Sequence, residues 1–209
     1  DSTFVLSNIS IQTHMNYLAH LALSYPSTGL VVGNFIGDHV RNKDLAQFTK
    51  EVQLGVDMHR SIDSFTDTHA ASIAIREKLF KDYRHISRIL VDIYYDHFLA
   101  LYFERFHHQS LITFNDDITA LLQKHMDIMP PSAQGYLRGM QAQKWMLEYN
   151  STLGVDVILN KMANRSGLQP LQTGANTLER HYDFFKTQFL KFYPELMGHC
   201  DSFKKEPLH

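Results

Sequence analysis

The sequence has very little cysteine: Cys200 is the single one in 209 residues. A lone cysteine forms no internal disulfide and cannot build a cysteine-based zinc cluster. Any bound metal would therefore need His, Asp or Glu ligands. Such a composition fits a reducing compartment, and we expect a cytoplasmic protein.

Long apolar runs are also missing. No stretch approaches the roughly 20 apolar residues that span a bilayer, and the first residues lack the basic and apolar segments of a signal peptide. We therefore expect no membrane association. Residues 1–14 are polar and weakly patterned, whereas Met15 opens a segment that looks like a natural start. We interpret residues 1–14 as an optional extension or a cloning remnant, and residues 15–209 as the folded domain.

The chain has no excess of one charge. Its 20 Lys and Arg residues face 22 Asp and Glu residues, which leaves a formal charge of -2. This balance removes the sequence-wide electrostatic reason to propose nucleic-acid binding. Hydrophobic residues make up 44% and no Pro, Gly or Ser rich linker divides the chain, so we expect one domain with one core.

The hydrophobic pattern predicts helices throughout and no convincing strand after Met15. Apolar residues recur at helical spacing in residues 44–68, 86–107 and 177–193. Breaks are expected at Pro130-Pro131 and at the glycines between residues 154 and 174. We therefore predict an all-α fold in a single domain.

Acidic residues and histidines are concentrated in the first half of the chain, in apolar or helical contexts. His59 and Asp63 are four residues apart and so share a helix face. The whole set is His20, Asp38, His59, Asp63, Asp92, Asp96 and His97. Such ligands suit Mn, Mg, Fe or Zn with positions left for water and phosphate. Alternatively, each residue caps a helix, pairs with an arginine or satisfies a hydrogen bond in the core.

Cationic residues flank this set. Arg41 and Arg60 lie next to the acidic positions, where they can clamp a phosphate or form salt bridges to the same carboxylates. A basic run follows, consisting of Arg76, Lys78, Lys81, Arg84 and Arg88. This run is either a solvated helix face or a surface that attracts an acidic protein.

Several segments make the chain resemble the acyl carrier protein phosphodiesterase family, whose members remove 4′-phosphopantetheine from holo acyl carrier protein. The main segments are Met15-Asn-Tyr-Leu-Ala-His20, Gly33-Asn-Phe-Ile-Gly-Asp38 with Arg41, Met58-His-Arg-Ser-Ile-Asp63, and Asp92 to Phe98. The resemblance runs from Met15 to about Gly198. The family in turn is similar to the HD phosphohydrolases, which are helical enzymes that use manganese or a similar ion.

The resemblance implies an HD-like helical bundle that binds a divalent ion, manganese first and magnesium or iron as alternatives. The metal ligands that it implies are Asp38, His59, Asp96 and His97. The residues to which it gives catalytic roles, in proton transfer and in holding phosphate oxygens, are His20, Asp63, Arg41 and Arg60. It leaves His20 and Asp63 open as further metal ligands or as residues that support the ligands.

The resemblance also implies a substrate and a docking surface. Holo acyl carrier protein would dock on Arg76, Lys81, Arg84 and Arg88 and would leave as apo carrier protein. Two alternatives stay open: an HD-type phosphohydrolase that acts on a nucleotide or another small phosphodiester, and a non-catalytic helical module that binds an acidic partner.

Overall fold

The structure, a computed structural model, describes residues 17–143 and 145–205 and is built from helices. Within these ranges it contains twelve α-helices and no strand, so the all-α prediction is confirmed. The predicted extension, residues 1–14, lies outside the described residues. None of the described helices combines the length and the apolar composition that crossing a bilayer requires.

The first six helices build most of the core and carry the predicted ligands and catalytic residues except Asp38 and Arg41, which follow α2. They are α1 (Tyr17–Ser24), α2 (Thr28–Ile36), α3 (Lys50–Thr68), α4 (Ala70–Tyr83), α5 (Ser87–Leu101) and α6 (Phe103–His107). The remaining six are α7 (Leu111–Lys124), α8 (Pro131–Gln143), α9 (Trp145–Glu148), α10 (Thr152–Ser166), α11 (Gly174–Arg180) and α12 (Tyr182–Lys205).

Three of the predicted helices were wrong in extent: one begins later than expected and two are interrupted. The helix expected over residues 44–68 begins at Lys50, because the Thr49 side chain accepts a hydrogen bond from the Val52 backbone N–H and caps it. Residues 42–47 form a 3-10 helix instead. The helices expected over residues 86–107 and 177–193 are each interrupted, at Tyr102 and at His181.

Helices α2 and α3 cross at a very short distance. A Cβ atom on Gly55 would lie 2.6 Å from the Leu30 carbonyl oxygen, and one on Gly33 would overlap the Val52 carbonyl oxygen. Glycine is therefore needed at both positions for the backbones to meet. This crossing brings Asn34 on α2 against His59 on α3, which fixes one side of the candidate site.

Helix α5 passes through the hydrophobic core, with Leu90, Ile93 and Phe98 fully buried. The Tyr94 hydroxyl donates a hydrogen bond of 2.7 Å to the Gly174 carbonyl and so ties α5 to the start of α11. This helix lies between the early and the late parts of the chain and carries Asp92, Asp96 and His97.

Candidate metal centre

Two buried histidines from different helices lie face to face. His20 on α1 is 1% exposed and His59 on α3 is 4% exposed. Their ring centroids are 4.3 Å apart with 32° between the planes. Burying two imidazoles in contact is unfavourable unless their nitrogen atoms have partners, so the surroundings of each nitrogen decide what this pair can do.

Asn34 contacts the inner nitrogen of both rings. His59 Nδ1 lies 2.9 Å from the Asn34 backbone carbonyl, which can only accept, so this nitrogen carries the proton. The Asn34 side-chain oxygen lies 2.7 Å from His20 Nδ1 and 3.2 Å from His59 Nδ1. In the neutral rings, both Nε2 atoms therefore present lone pairs on the opposite side.

Ser24 holds the Asn34 amide in this orientation. The Asn34 Nδ2 group donates to Ser24 Oγ at 2.6 Å, and that hydroxyl donates to the His20 backbone carbonyl at 2.7 Å. The chain of hydrogen bonds leaves the amide oxygen to accept from the imidazoles. Partners of this kind, behind a ring, fix the tautomer and orientation of histidines that bind metals.

Two carboxylates face the outer nitrogen atoms. Asp63 Oδ1 lies 3.2 Å from His20 Nε2, and Asp63 Oδ2 lies 3.4 Å from His59 Nε2. Asp38 Oδ1 lies 3.2 Å from His59 Nε2 as well. Neither Nε2 atom has a hydrogen bond of good geometry among the described residues. Lone pairs that meet carboxylate oxygens at this range fit a shared cation.

The donor set satisfies the basic requirement of a metal site. Ligand atoms of His20, His59 and Asp63 lie within 4.8 Å of one another, and Asp38 contacts the same His59 nitrogen. Two imidazoles with two carboxylates suit a borderline divalent ion such as Mn, Fe or Zn. Because Asp63 and Asp38 keep partial exposure, the site opens to the surface on their side.

The electrostatics around the group also favour a cation. Burial lowers the pKa of His20, but its interactions with Asp63, Asn34 and Asp38 together raise it by more, so the net pKa is raised. The pKa of Asp92 is raised well above its ordinary value by burial, then by the negative charges of Asp63 and Asp96. A divalent ion would offset this accumulation of negative charge.

Gly37 makes room for one of the two imidazoles. A Cβ atom at this position would lie 2.6 Å from His59 Cδ2 and nearer still to Cγ. Gly37 has ordinary helical dihedral angles, so the requirement comes from space and not from backbone conformation. The glycine at the end of α2 therefore allows Asp38 and the His59 ring to approach each other.

The structure does not bring Asp96 and His97 to this group. Asp96 is fully buried and accepts hydrogen bonds from the Leu18 and Ala19 backbone N–H groups at 3.3 and 3.2 Å, which caps the start of α1. His97 Nδ1 donates to the Tyr149 carbonyl at 2.7 Å, and Nε2 lies 3.1 Å from the Tyr182 hydroxyl. These contacts satisfy both residues and do not support the prediction that they bind metal.

The two predicted phosphate clamps lie outside the group of ligands. Arg41 is mostly exposed and pairs with Asp44 at 2.9 Å. Arg60 donates to the Val40 carbonyl at 3.5 Å and lies 3.7 Å from Asp57. Both therefore have the salt-bridge partners that the sequence left open, although these carboxylates differ from the predicted metal ligands.

We call the predicted docking residues, Arg76, Lys81, Arg84 and Arg88, the basic face. Two of them contact Asp67 on α3. Asp67, one turn after Asp63, accepts from Arg88 at 3.0 Å and lies 3.8 Å from Arg76. Lys81 and Arg84 are exposed, and the Arg84 guanidinium lies over the exposed Phe80 ring at 5.7 Å. Helix α3 therefore carries both ligands of the candidate metal centre and Asp67, the partner of Arg76 and Arg88.

Asn34 had no predicted role. His20 and Asp63 were predicted to be catalytic or to be further ligands, and the geometry places them among possible ligands. A buried amide within the apolar segment 30–36 was an available signal for Asn34, because such a group needs partners. The contact between His20 on α1 and His59 on α3 could not be predicted, since no sequence spacing relates residues 39 positions apart.

Comparisons with known proteins identify the family of the chain. The sequence profile described as acyl carrier protein phosphodiesterase matches residues 15–196. The chain belongs to the acyl carrier protein phosphodiesterase family. Proteins of that name from Photorhabdus laumondii and Serratia proteamaculans are 32% and 30% identical over 190 and 185 residues, which cover 90% and 88% of this chain and 96% of each relative.

A third relative of the same name, from Escherichia coli, is 30% identical over 188 residues, 88% of this chain and 96% of its own. Membership of the acyl carrier protein phosphodiesterase family confirms the predicted hydrolase of phosphodiester bonds. No solved structure matches the chain. The HD-like part of the fold prediction therefore stays a prediction.

Proposed function

We propose that this chain is a metal-dependent phosphodiesterase that hydrolyses 4′-phosphopantetheine from holo acyl carrier protein and releases apo carrier protein. The observation that supports it most is the convergence of two imidazole nitrogens and two carboxylates, from three parts of the chain, at one partly open point. The names of the relatives supply the substrate. We place the reaction in the cytoplasm, in keeping with the single cysteine.

His20, His59, Asp63 and Asp38 would hold the ion, for which we propose manganese, with magnesium or iron as alternatives. A divalent ion, when bound, lowers the pKa of a water ligand and neutralises charge on the phosphoryl oxygens. The predicted ligands Asp96 and His97 act differently in this proposal. Asp96 fixes the start of the helix that carries His20, and His97 joins α5 to residues 149 and 182.

Asp92 is the residue that we propose as proton donor. Burial is the largest cause of the raised pKa of Asp92, and this cause remains when a bound ion offsets the negative charges of Asp63 and Asp96. In this proposal burial therefore keeps a proton on Asp92. The leaving group is a serine alkoxide, which departs poorly without a proton. His20 is less suited to this step, because its Nδ1 contacts Asn34 and its Nε2 faces Asp63.

Arg41 and Arg60 would hold the phosphoryl oxygens that do not contact the ion. Arginine presents a planar fork that matches phosphate. Arg41 is exposed and paired with Asp44, so it can exchange that carboxylate for a phosphate at the surface. Arg60 contacts the backbone of Val40, two residues from Asp38. The acidic carrier protein would dock on Arg76, Lys81, Arg84 and Arg88.

The decisive experiment is incubation of the purified chain with holo acyl carrier protein and Mn²⁺, followed by intact-mass spectrometry. We expect loss of the phosphopantetheine arm, and no loss after treatment with a chelator. Turnover with a small phosphodiester but not with holo carrier protein would favour the second phosphohydrolase hypothesis. Binding of the carrier without any turnover would favour the non-catalytic module.

A further inference from the structure

A groove opens directly beside the candidate metal centre. It has a volume of about 570 Å³, and Asp38 belongs both to its lining and to the group of ligands around His59. Residues 38–48 form one wall and residues 128–131 form the other. The volume falls within the range of pockets that hold small organic ligands, so the groove is large enough for part of a substrate.

The walls combine apolar and polar groups. Val40, Phe48, Met129 and Pro130 supply apolar surface, while Gln47 supplies an exposed amide. A chain of alkyl and amide groups needs this mixture, because its methyl groups bury apolar area and its amides need hydrogen-bond partners.

The position of the groove relative to the basic face is set by α3. Asp38 contacts His59 on α3. Asp67, eight residues after His59 on the same helix, forms ion pairs with Arg76 and Arg88. Eight residues of α-helix correspond to about 12 Å. The order along the helix is therefore groove, metal ligands, basic face, with the ligands in the middle.

We propose that this groove binds the pantetheine arm of the substrate, while the carrier protein lies on the side of the basic face. The inference rests on the proposed function. A phosphodiester carries two organic substituents on its phosphorus, here the carrier serine and pantetheine, which extend in different directions from the reacting group. If the serine side of the substrate extends toward Arg76 and Arg88, the pantetheine side extends toward Asp38 and enters the groove.

The test is direct binding of 4′-phosphopantetheine, measured by calorimetry or by NMR titration, with inorganic phosphate as the comparison ligand. Gln47→Trp and Ile128→Trp place a large side chain on each wall at exposed positions of the groove. We expect each to weaken 4′-phosphopantetheine binding about tenfold or more and to leave phosphate binding unchanged. Leu153→Trp, at a 74% exposed position of α10, is the matched control.

Two results would overturn the groove assignment: no binding of 4′-phosphopantetheine to the wild-type protein at millimolar concentration, or equal binding by the wild-type protein and both groove variants. Hydrolysis of holo carrier protein is scored separately. Turnover that is indifferent to both variants retains the proposed function and removes the groove. Binding that both variants block, without turnover in the wild-type protein, retains the groove and removes the proposed function.

Discussion

His20 and His59 each direct Nε2 at a different oxygen of the Asp63 carboxylate, 3.2 Å and 3.4 Å away. Because their Nδ1 atoms donate to Asn34, neutral rings would place two lone pairs against a negative group. Either protons or a metal ion must relieve that repulsion. The pair should therefore respond to metal, and the first two predictions depend on it.

The first prediction separates the two ligand sets. His20→Ala, His59→Ala and Asp63→Asn should each lose stoichiometric metal and turnover, because each removes a group that faces the shared point. His97→Gln should retain the metal, since both nitrogen atoms of His97 contact protein groups. Elemental analysis after reconstitution with Mn²⁺ measures the difference, and circular dichroism checks the fold. Loss of metal in His97→Gln alone would make His97 a ligand and contradict the set around His20.

Asn34→Ala should weaken metal binding without removing a ligand. The variant frees both imidazoles to rotate, and loss of such outer partners reduces metal affinity by about 10- to 100-fold. Calorimetric titration with Mn²⁺ gives the affinity. Asn115→Ala is the control, because Asn115 is also buried but bonds to its neighbour Asp116 on α7. Equal affinities in the two variants would show that Asn34 does not position the rings.

Asp92→Asn should slow turnover in a way that depends on the leaving group. An amide cannot supply the proton, and loss of a general acid costs about 10²- to 10⁴-fold in rate. Holo carrier protein, which releases a serine alkoxide, should show the full loss. A p-nitrophenyl phosphodiester should show little, because nitrophenolate leaves without a proton. Similar losses on both substrates would mean that Asp92 acts structurally or on the metal.

Asp96 should make the protein less stable as pH rises. Burial raises the pKa of Asp96 to about 8, while the Ala19 and Leu18 N–H groups lower it in part. The folded state then holds a proton that the unfolded state releases near pH 4, so stability is full below about pH 4 and is lost progressively up to about pH 8. Each unit of difference corresponds to roughly 1.4 kcal/mol.

Urea denaturation at several pH values measures this dependence. Asp96→Asn should flatten the curve between about pH 4 and 8, because it removes the titrating group. Asp127→Asn, a change at an exposed aspartate, should leave the slope as in the wild-type protein. A slope that persists in Asp96→Asn would assign it to other carboxyls, with Asp92 the first to examine.

Charge reversal on the basic face should affect the protein substrate alone. The double variant Lys81→Glu with Arg84→Glu reverses two exposed cations. It should raise KM for holo carrier protein about tenfold or more, because electrostatic attraction increases association rates by factors of this size. KM for a small phosphodiester should not change. Lys124→Glu, an exposed cation on α7, serves as control. Equal effects on both substrates would argue against docking at Lys81 and Arg84.

The helical fold could be predicted because apolar spacing is a local property of the chain. Residues 44–68 carry the spacing of α3, and the four-residue interval between His59 and Asp63 is enough to place them on one helix face. Helix ends were harder to predict. The Thr49 side chain caps the start of α3 through a hydrogen bond, although the apolar spacing begins at residue 44.

The helical class, the family and the pairing of His59 with Asp63 follow from the amino-acid sequence, since each depends on residues close along the chain or on motifs read in order. Helix packing, in contrast, sets which acids and imidazoles meet. His20 joins the site through the packing of α1, and Asn34 through the crossing of α2 with α3, while Asp96 turns to cap α1. These relationships arise from how helices pack, which short-range spacing does not specify.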